Sequence, residues 1–276
     1  MNFMQPLQKH LAKRPLEEDE YFNEKDKLIY CKKCDTPRQI RFERAGRVYE
    51  PYVMCKCRKE DDERREQEIK NRDFMEKIKK LKANGLQDKS LYDYCFANDK
   101  GYNDELRHAH RYVEKWEQIY KENTGLIIWG DVGTGKSFFA GCIANALLEK
   151  GVPVLMTNFA RILNTMTGLF SDARNDFIDS FNHYSLLIID DLGMERNSEF
   201  AQEQIFSIID SRYRANKPLI VTTNLTLKEL NNPTDLARSR IYNRILERCV
   251  PIKINNQNIR NINAKQNMQK AESLFK

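Results

Sequence analysis

The chain has 276 residues, 41% of them hydrophobic and 10% aromatic, which leaves room for one α/β domain plus a smaller unit and excludes wholesale disorder. Its longest apolar runs, such as Leu126 to Trp129 and Ser185 to Ile189, are far too short to cross a bilayer. The net charge of +6 (46 basic against 40 acidic side chains) assists contact with an anionic polymer only modestly.

The N-terminal stretch has no apolar h-region, and Pro15 to Asp26 is acidic, so neither a signal nor a transit peptide is expected. A cytoplasmic location without a membrane partner follows, in which the seven cysteines are thiols or metal ligands rather than disulfides. Four of them cluster. Cys31-Lys-Lys-Cys34 and Cys55-Lys-Cys57 are separated by 20 residues, and four thiolates of this kind can close a tetrahedral Zn²⁺ site of structural type. A redox CxxC is the competing reading, although no thioredoxin-like βαβ pattern surrounds it. Gly46 and the alternation through Val48, Tyr49 and Tyr52 suggest a ribbon between the two pairs. Cys95, Cys142 and Cys249 are scattered in or near apolar segments and read as core thiols.

Arg58 to Lys82 is densely charged, with an acid four residues ahead of a base at Glu60/Arg64, Asp61/Arg65, Glu66/Lys70, Glu68/Arg72, Asp73/Lys77 and Glu76/Lys80. That order predicts an exposed helix. Phe74, Met75, Ile78 and Leu81 predict that it docks near its C-terminal end. The divisions expected are 1–57, a metal-binding module; 58–90, a helical connector; and 91–276, an α/β domain.

From Leu91 onward, apolar runs alternate with helical ones, as in a parallel sheet covered on both faces. The strands are expected at Gly125–Trp129, Val152–Thr157, Leu186–Asp190, Pro218–Thr223 and Cys249–Ile254, with helices at Lys136–Glu149 and Glu199–Ala215 between them. After the first strand comes Gly130-Asp131-Val132-Gly133-Thr134-Gly135-Lys136-Ser137, the GxxxxGK[ST] phosphate loop, opening a helix with Phe138. Its backbone N–H groups and helix N-terminus suit the phosphates of ATP, Lys136 the β/γ-phosphates and Ser137 a Mg²⁺ ion. Leu186-Leu-Ile-Ile-Asp190-Asp191 ends a buried strand in two acids: Asp190 is placed to hold Mg²⁺ and Asp191 to orient the attacking water. Leu219-Ile-Val-Thr-Thr-Asn224 ends another strand in an amide, which could equally be a turn residue. Ala237 to Arg248 is a helix rich in arginine, with a solvated basic face as its plain alternative.

Taken together, these residues resemble an AAA+ ATPase, specifically the bacterial and phage replicative helicase loaders of the DnaC/DnaI group. The ATPase half also resembles the IstB transposition helpers. The most specific stretches are Leu186–Gly193, Asp210–Tyr213, Pro218–Leu225 and Arg240–Leu246. The resemblance implies an AAA+ P-loop domain without a full C-terminal lid, since only residues 255–276 follow Ile254. It makes Asn224 the sensor beside the γ-phosphate and Arg244 an arginine finger acting on a neighbouring subunit's ATP, with Arg240 the runner-up. Asp191 stands where fast motors carry Glu, so slow hydrolysis is expected. Phe96 matches an aromatic flanking the adenine pocket, or is core packing; Arg260 matches a late arginine near the nucleotide. Phe159, Arg161, Phe170 and Arg174 fall in the segment that grips single-stranded DNA in these loaders, although helix packing explains the phenylalanines equally well. The function implied is an ATP-dependent loader that binds a DnaB-type replicative helicase, self-associates with ATP and places the ring on single-stranded DNA. An IstB-like transposition helper and a nucleotide-gated DNA-binding adaptor are the alternatives.

Overall fold

The computed structural model describes residues 15–193, 198–233, 235–256 and 258–275. The chain forms two compact units, the first ending at Asp73 and the second starting at Phe74.

The first unit is built from two hairpins. Strands β1 (Glu20–Asn23) and β2 (Leu28–Cys31) pair antiparallel, as do β3 (Phe42–Arg44) and β4 (Arg47–Tyr49). The second hairpin turns at Ala45 and Gly46, whose φ values of 52° and 70° are those of a type I′ turn. Among the described residues, this unit buries little apolar surface beyond Ile29, Cys31 and Cys55, too little to hold a fold by itself. A buried guanidinium supplies another anchor: Arg38, 1% exposed, donates to Glu17, Asp19 and Glu20. Helix α1 (Lys56–Gly85) starts within the last cysteine pair. Of its expected ion pairs Glu66–Lys70 forms at 3.7 Å, whereas Asp61 takes Arg64, one position short of Arg65, at 2.7 Å. Ile78 is buried and Leu81 packs on the core of the second unit, while Phe74 and Met75 stay exposed.

In the second unit, two single 3₁₀ turns (Lys89–Asp93, Phe96–Asn98) lead into α2 (Leu106–Glu114) and α3 (Trp116–Glu122). There follow β5 (Gly125–Trp129), α4 (Lys136–Glu149), β6 (Val154–Asn158), α5 (Phe159–Thr167), α6 (Ser171–Ser180), a 3₁₀ turn (Phe181–His183) and β7 (Leu186–Leu192). The chain continues with α7 (Glu199–Arg214), β8 (Leu219–Thr223), α8 (Leu227–Asn231), α9 (Leu236–Arg248), β9 (Cys249–Lys253) and α10 (Ile259–Leu274). All five expected strands form, within two residues of their expected ends, in one parallel sheet of order β6-β7-β8-β5-β9. One core layer packs α2 and α4 on this sheet through residues such as Tyr112, Phe139 and Leu147. The other packs α5, α7 and α9 through Phe159, Ile205 and Ile245. Among the described residues a single helix, α10, follows β9. Among the described residues no helix is long and apolar enough to cross a membrane.

The Asp210–Tyr213 stretch ties the second layer together. Arg212, 1% exposed, donates to the carbonyls of Phe181, Tyr184, Ser185 and Pro218 at 2.8–3.2 Å, and burial pulls its pKa down to about 10. Asp210 accepts from Arg214 of its own helix and from Arg244 of α9, and the Tyr213 hydroxyl donates to Glu247 of α9.

A candidate nucleotide site and a four-cysteine cluster

The sheet order decides what meets at its C-terminal edge. β8 lies between the phosphate-loop strand β5 and the acid-bearing strand β7, so a residue just past β8 reaches both. That residue is Asn224. Its Oδ1 accepts from Lys136 Nζ at 2.6 Å, and the same ammonium donates to the carbonyls of Gly130 and Asp131 at 2.9 and 2.8 Å. Burial pulls the Lys136 pKa below its usual value, against the raising pull of Asp191 and Asp190. The loop holds its curl through Thr134, whose hydroxyl donates to the Asp131 carbonyl at 2.8 Å. Gly133 has φ 81°, and a Cβ there would lie 2.3 Å from the Asn258 side chain, so any other residue would be strained and would displace Asn258.

The two acids are set by a bulge. β7 pairs regularly with β8 up to Ile189↔Val221, then slips by one so that Leu192 faces Thr223. Asp191 takes the extra position with φ 61°, a left-handed conformation for a non-glycine residue, as bulges beside active sites do. Thr222 pins the turn: its hydroxyl accepts from the Asp191 N–H at 2.9 Å and donates to Asp190 Oδ1 at 2.5 Å. Burial pushes the Asp190 carboxyl above its usual range, opposed by hydrogen bonds from Thr222 and Ser137 and by the Lys136 charge. Ser137 and Asp190, the two expected Mg²⁺ ligands, line one pocket together, and a divalent cation would offset the cost of burying that carboxylate.

Around these groups opens a cleft of about 420 Å³, lined by Val132, Gly133, Gly135, Lys136, Ser137, Phe138, Asp191 and Asn224. Sequence reasoning missed part of its wall. Tyr94, Tyr102 and Asn103 come from the segment ahead of α2, which carries no motif, and Ile259 from the start of α10, beside the expected Arg260. Asn103 is 6% exposed and its Nδ2 finds no acceptor among the described residues, a donor suited to a ligand group in the cleft. The tail clasps the loop: Ile259 N–H donates to the Gly133 carbonyl at 2.9 Å and Asn258 Nδ2 to the Val132 carbonyl at 3.1 Å. Arg260 does reach the cleft.

Other expected residues stand elsewhere. Phe96 stacks on His110, ring centroids 3.7 Å apart, and packs on the core instead of lining the cleft. Phe159 is 1% exposed in the core and has no face to offer a base. Arg161 donates to the Gln87 carbonyl, and Arg174 to those of Met166 and Leu169; Phe170 is 88% exposed. Arg244 is engaged by its own chain, 2.7 Å from Asp210 and 4.5 Å over the Phe206 ring. Arg240, one turn earlier, is exposed.

Residues 52–267 match the family of IstB-like ATP binding proteins, more than half of the chain. The chain belongs to this family. Among curated proteins it is similar to the replicative helicase loader DnaC of Escherichia coli (strain K12), 29% identical over 143 residues, 51% of this chain and 56% of that one. The DnaC of Buchnera aphidicola subsp. Schizaphis graminum is 28% identical over 150 residues, 52% of this chain and 61% of that one. The match thus spans little more than half the length of these relatives. Among solved structures, DnaI superposes with a TM-score of 0.52 at 23% identity, covering 60% of this chain and 94% of that one, a likeness of fold. The chain is thus an IstB-like ATP binding protein with an α/β domain, similar to DnaC over about half its length.

The IstB-like match starts at Tyr52, so Cys31 and Cys34 lie ahead of it and Cys55 and Cys57 within it. The four Sγ atoms all lie within 4.8 Å of one another, with Cys31–Cys57 at 3.6 Å and Cys55–Cys57 at 3.5 Å. A zinc–sulfur bond of about 2.3 Å sets tetrahedral sulfurs roughly 3.8 Å apart, so the cluster fits such an ion. The Thr36 hydroxyl, 3.0 Å from Cys34 Sγ, brings that thiol down to about 6, whereas burial and the neighbouring sulfurs push Cys57 up to about 12. Cys142 and Cys249 are buried in the core of the second unit.

Proposed function

We propose that the chain is an ATP-dependent loader of a DnaB-type replicative helicase. The observation that carries the proposal is the convergence of Lys136, Ser137, Asp191 and Asn224 on one cleft, with Asp190 in the adjoining pocket that shares Ser137 and Asp191, in a chain whose curated relatives are replicative helicase loaders. In this reading the backbone of Gly130–Gly135 and the N-terminus of α4 receive the phosphates of ATP. Ser137 and Asp190 would hold Mg²⁺, which when bound neutralises phosphate charge. Lys136 exchanges its loop carbonyls for phosphate oxygens, and Asn224, already in contact with that ammonium, keeps it aimed. Asp191, fixed by the bulge, orients and deprotonates water; its short side chain sets a slow rate, suited to a switch. Tyr102, Asn103 and Ile259 form the wall for the base.

The cation from a neighbouring subunit comes from α9. For Arg244 to serve, it must leave Asp210 and Phe206; Arg240 is already free of ion pairs among the described residues. ATP then promotes self-association on single-stranded DNA, and hydrolysis releases the loader. Cys31, Cys34, Cys55 and Cys57 hold a structural Zn²⁺ that keeps the first unit folded for contact with the helicase, in the cytoplasm.

The test is loading. The hexameric helicase of the same cell should unwind a protein-coated circular single strand only when the chain and ATP are present, and Lys136→Ala should abolish the stimulation. Unwinding indifferent to the chain would refute the loader. The family match favours a second reading, a helper ATPase for a transposase, which predicts ATP-dependent duplex DNA binding with no response from the helicase.

A further inference from the structure

The β3–β4 ribbon has an unusual outer face. Directly opposed residues of an antiparallel pair share a face, and faces alternate along each strand. The register Phe42↔Tyr49 and Arg44↔Arg47 therefore puts two aromatic rings and two arginines on one side. The rings stack nearly parallel, 15° apart with centroids at 5.5 Å, yet are 45% and 43% exposed. Neither arginine has an ion-pair partner among the described residues. The opposite side carries no excess of positive charge: Arg41 bridges Glu50 at 2.7 Å and Glu43 stands across from Val48.

Two guanidinium groups directly opposed across a ladder repel, and exposed stacked rings give up burial; both lower the stability of the hairpin. An anion with flat, apolar faces removes both costs at once. A duplex cannot supply these faces, because its bases are stacked inside, whereas an unpaired strand can. We propose that this face is a binding site for single-stranded nucleic acid, with bases on Phe42 and Tyr49 and phosphates on Arg44 and Arg47. The site is separate from the nucleotide cleft and does not depend on the ATPase reading.

The experiment uses full-length protein carrying Lys136→Ala, without nucleotide, so that ATP-dependent strand binding does not report. Fluorescence anisotropy follows a fluorescein-labelled oligothymidylate. Phe42→Ala with Tyr49→Ala should weaken binding roughly tenfold or more. Arg44→Gln with Arg47→Gln should weaken it too, and lower the slope of log affinity against log salt by about 1.4, the counterion release of two phosphates. That arginine variant should melt at or above the parent's temperature, because a repulsion has been removed, so its loss of affinity is not unfolding. Oligonucleotide binding unchanged in both double variants overturns the proposal. So does a result in which they bind the oligonucleotide normally and lose only the helicase, which makes the face a protein-docking surface.

Discussion

Arg212 shows how one side chain can hold a layer without a counter-ion. Its guanidinium bridges four backbone carbonyls at the entry of β7 and β8, and removing it takes that donor from the Tyr184 and Ser185 carbonyls and leaves those of Phe181 and Pro218 with one long backbone N–H each. Arg212→Leu should cost at least about 3 kcal/mol, at roughly 1–3 kcal/mol per buried unsatisfied group. For a unit of this size that is a fall in Tm of roughly 10 °C, readable by thermal melting. Arg212→Lys should recover little, since an ammonium has three donors where the guanidinium has five. At the nucleotide site the predictions separate binding from chemistry. Lys136→Ala should abolish ATP binding. Asp191→Asn and Asn224→Ala should bind ATP within a few-fold of wild type and lose roughly 10²-fold in turnover, the scale for losing one oriented polar group. Calorimetric titration together with phosphate release checks both; tight ATP binding by Lys136→Ala would contradict the assignment.

At the scale of elements, the sequence was informative wherever chemistry is local. The strand-loop-helix around Lys136 and the strand ending in Asp190-Asp191 were legible because phosphate binding and metal binding fix residue types at fixed spacing. The bulge that turns Asp191 was not, since it depends on the Thr222 hydroxyl of the next strand. Nor was the wall of Tyr94, Tyr102 and Asn103, which carries no spacing of its own, Tyr94 being set by packing on Phe138 and Gly141 of α4. At Phe96 and Phe159 the packing alternative holds: Phe159 is buried in the core, and Phe96, partly buried, stacks on His110. The Gly46 turn and its ribbon were visible, but the cross-strand face of Phe42, Arg44, Arg47 and Tyr49 needed the register. The cysteine module is the element with least core, so its prediction is severe. Purified protein should carry one Zn²⁺, and Cys34→Ser should lose the metal and amide protection across residues 15–57 while ATP binding persists. Elemental analysis without metal on fully protected protein would contradict this.

At the scale of the molecule, ATP is expected to control association. Arg240→Ala and Arg244→Ala should both bind ATP like wild type, and the variant that removes the trans-acting cation should fail to assemble with ATP on an oligonucleotide. Arg244→Ala also leaves Asp210 with Arg214 alone and uncovers Phe206, so it should lower Tm by a few degrees, whereas Arg240→Ala should not. Light scattering and melting together tell the finger from the clamp. Light scattering with the helicase present also bears most directly on the loader itself. The chain is mixed with the hexameric replicative helicase of its own cell and sized with Mg²⁺ and ATP, with and without Asp191→Asn. The loader reading predicts one complex heavier than the helicase, which the wild type leaves as ATP is consumed and the Asp191→Asn variant retains. A helicase that elutes at its own mass in every nucleotide state, with both proteins, would contradict it.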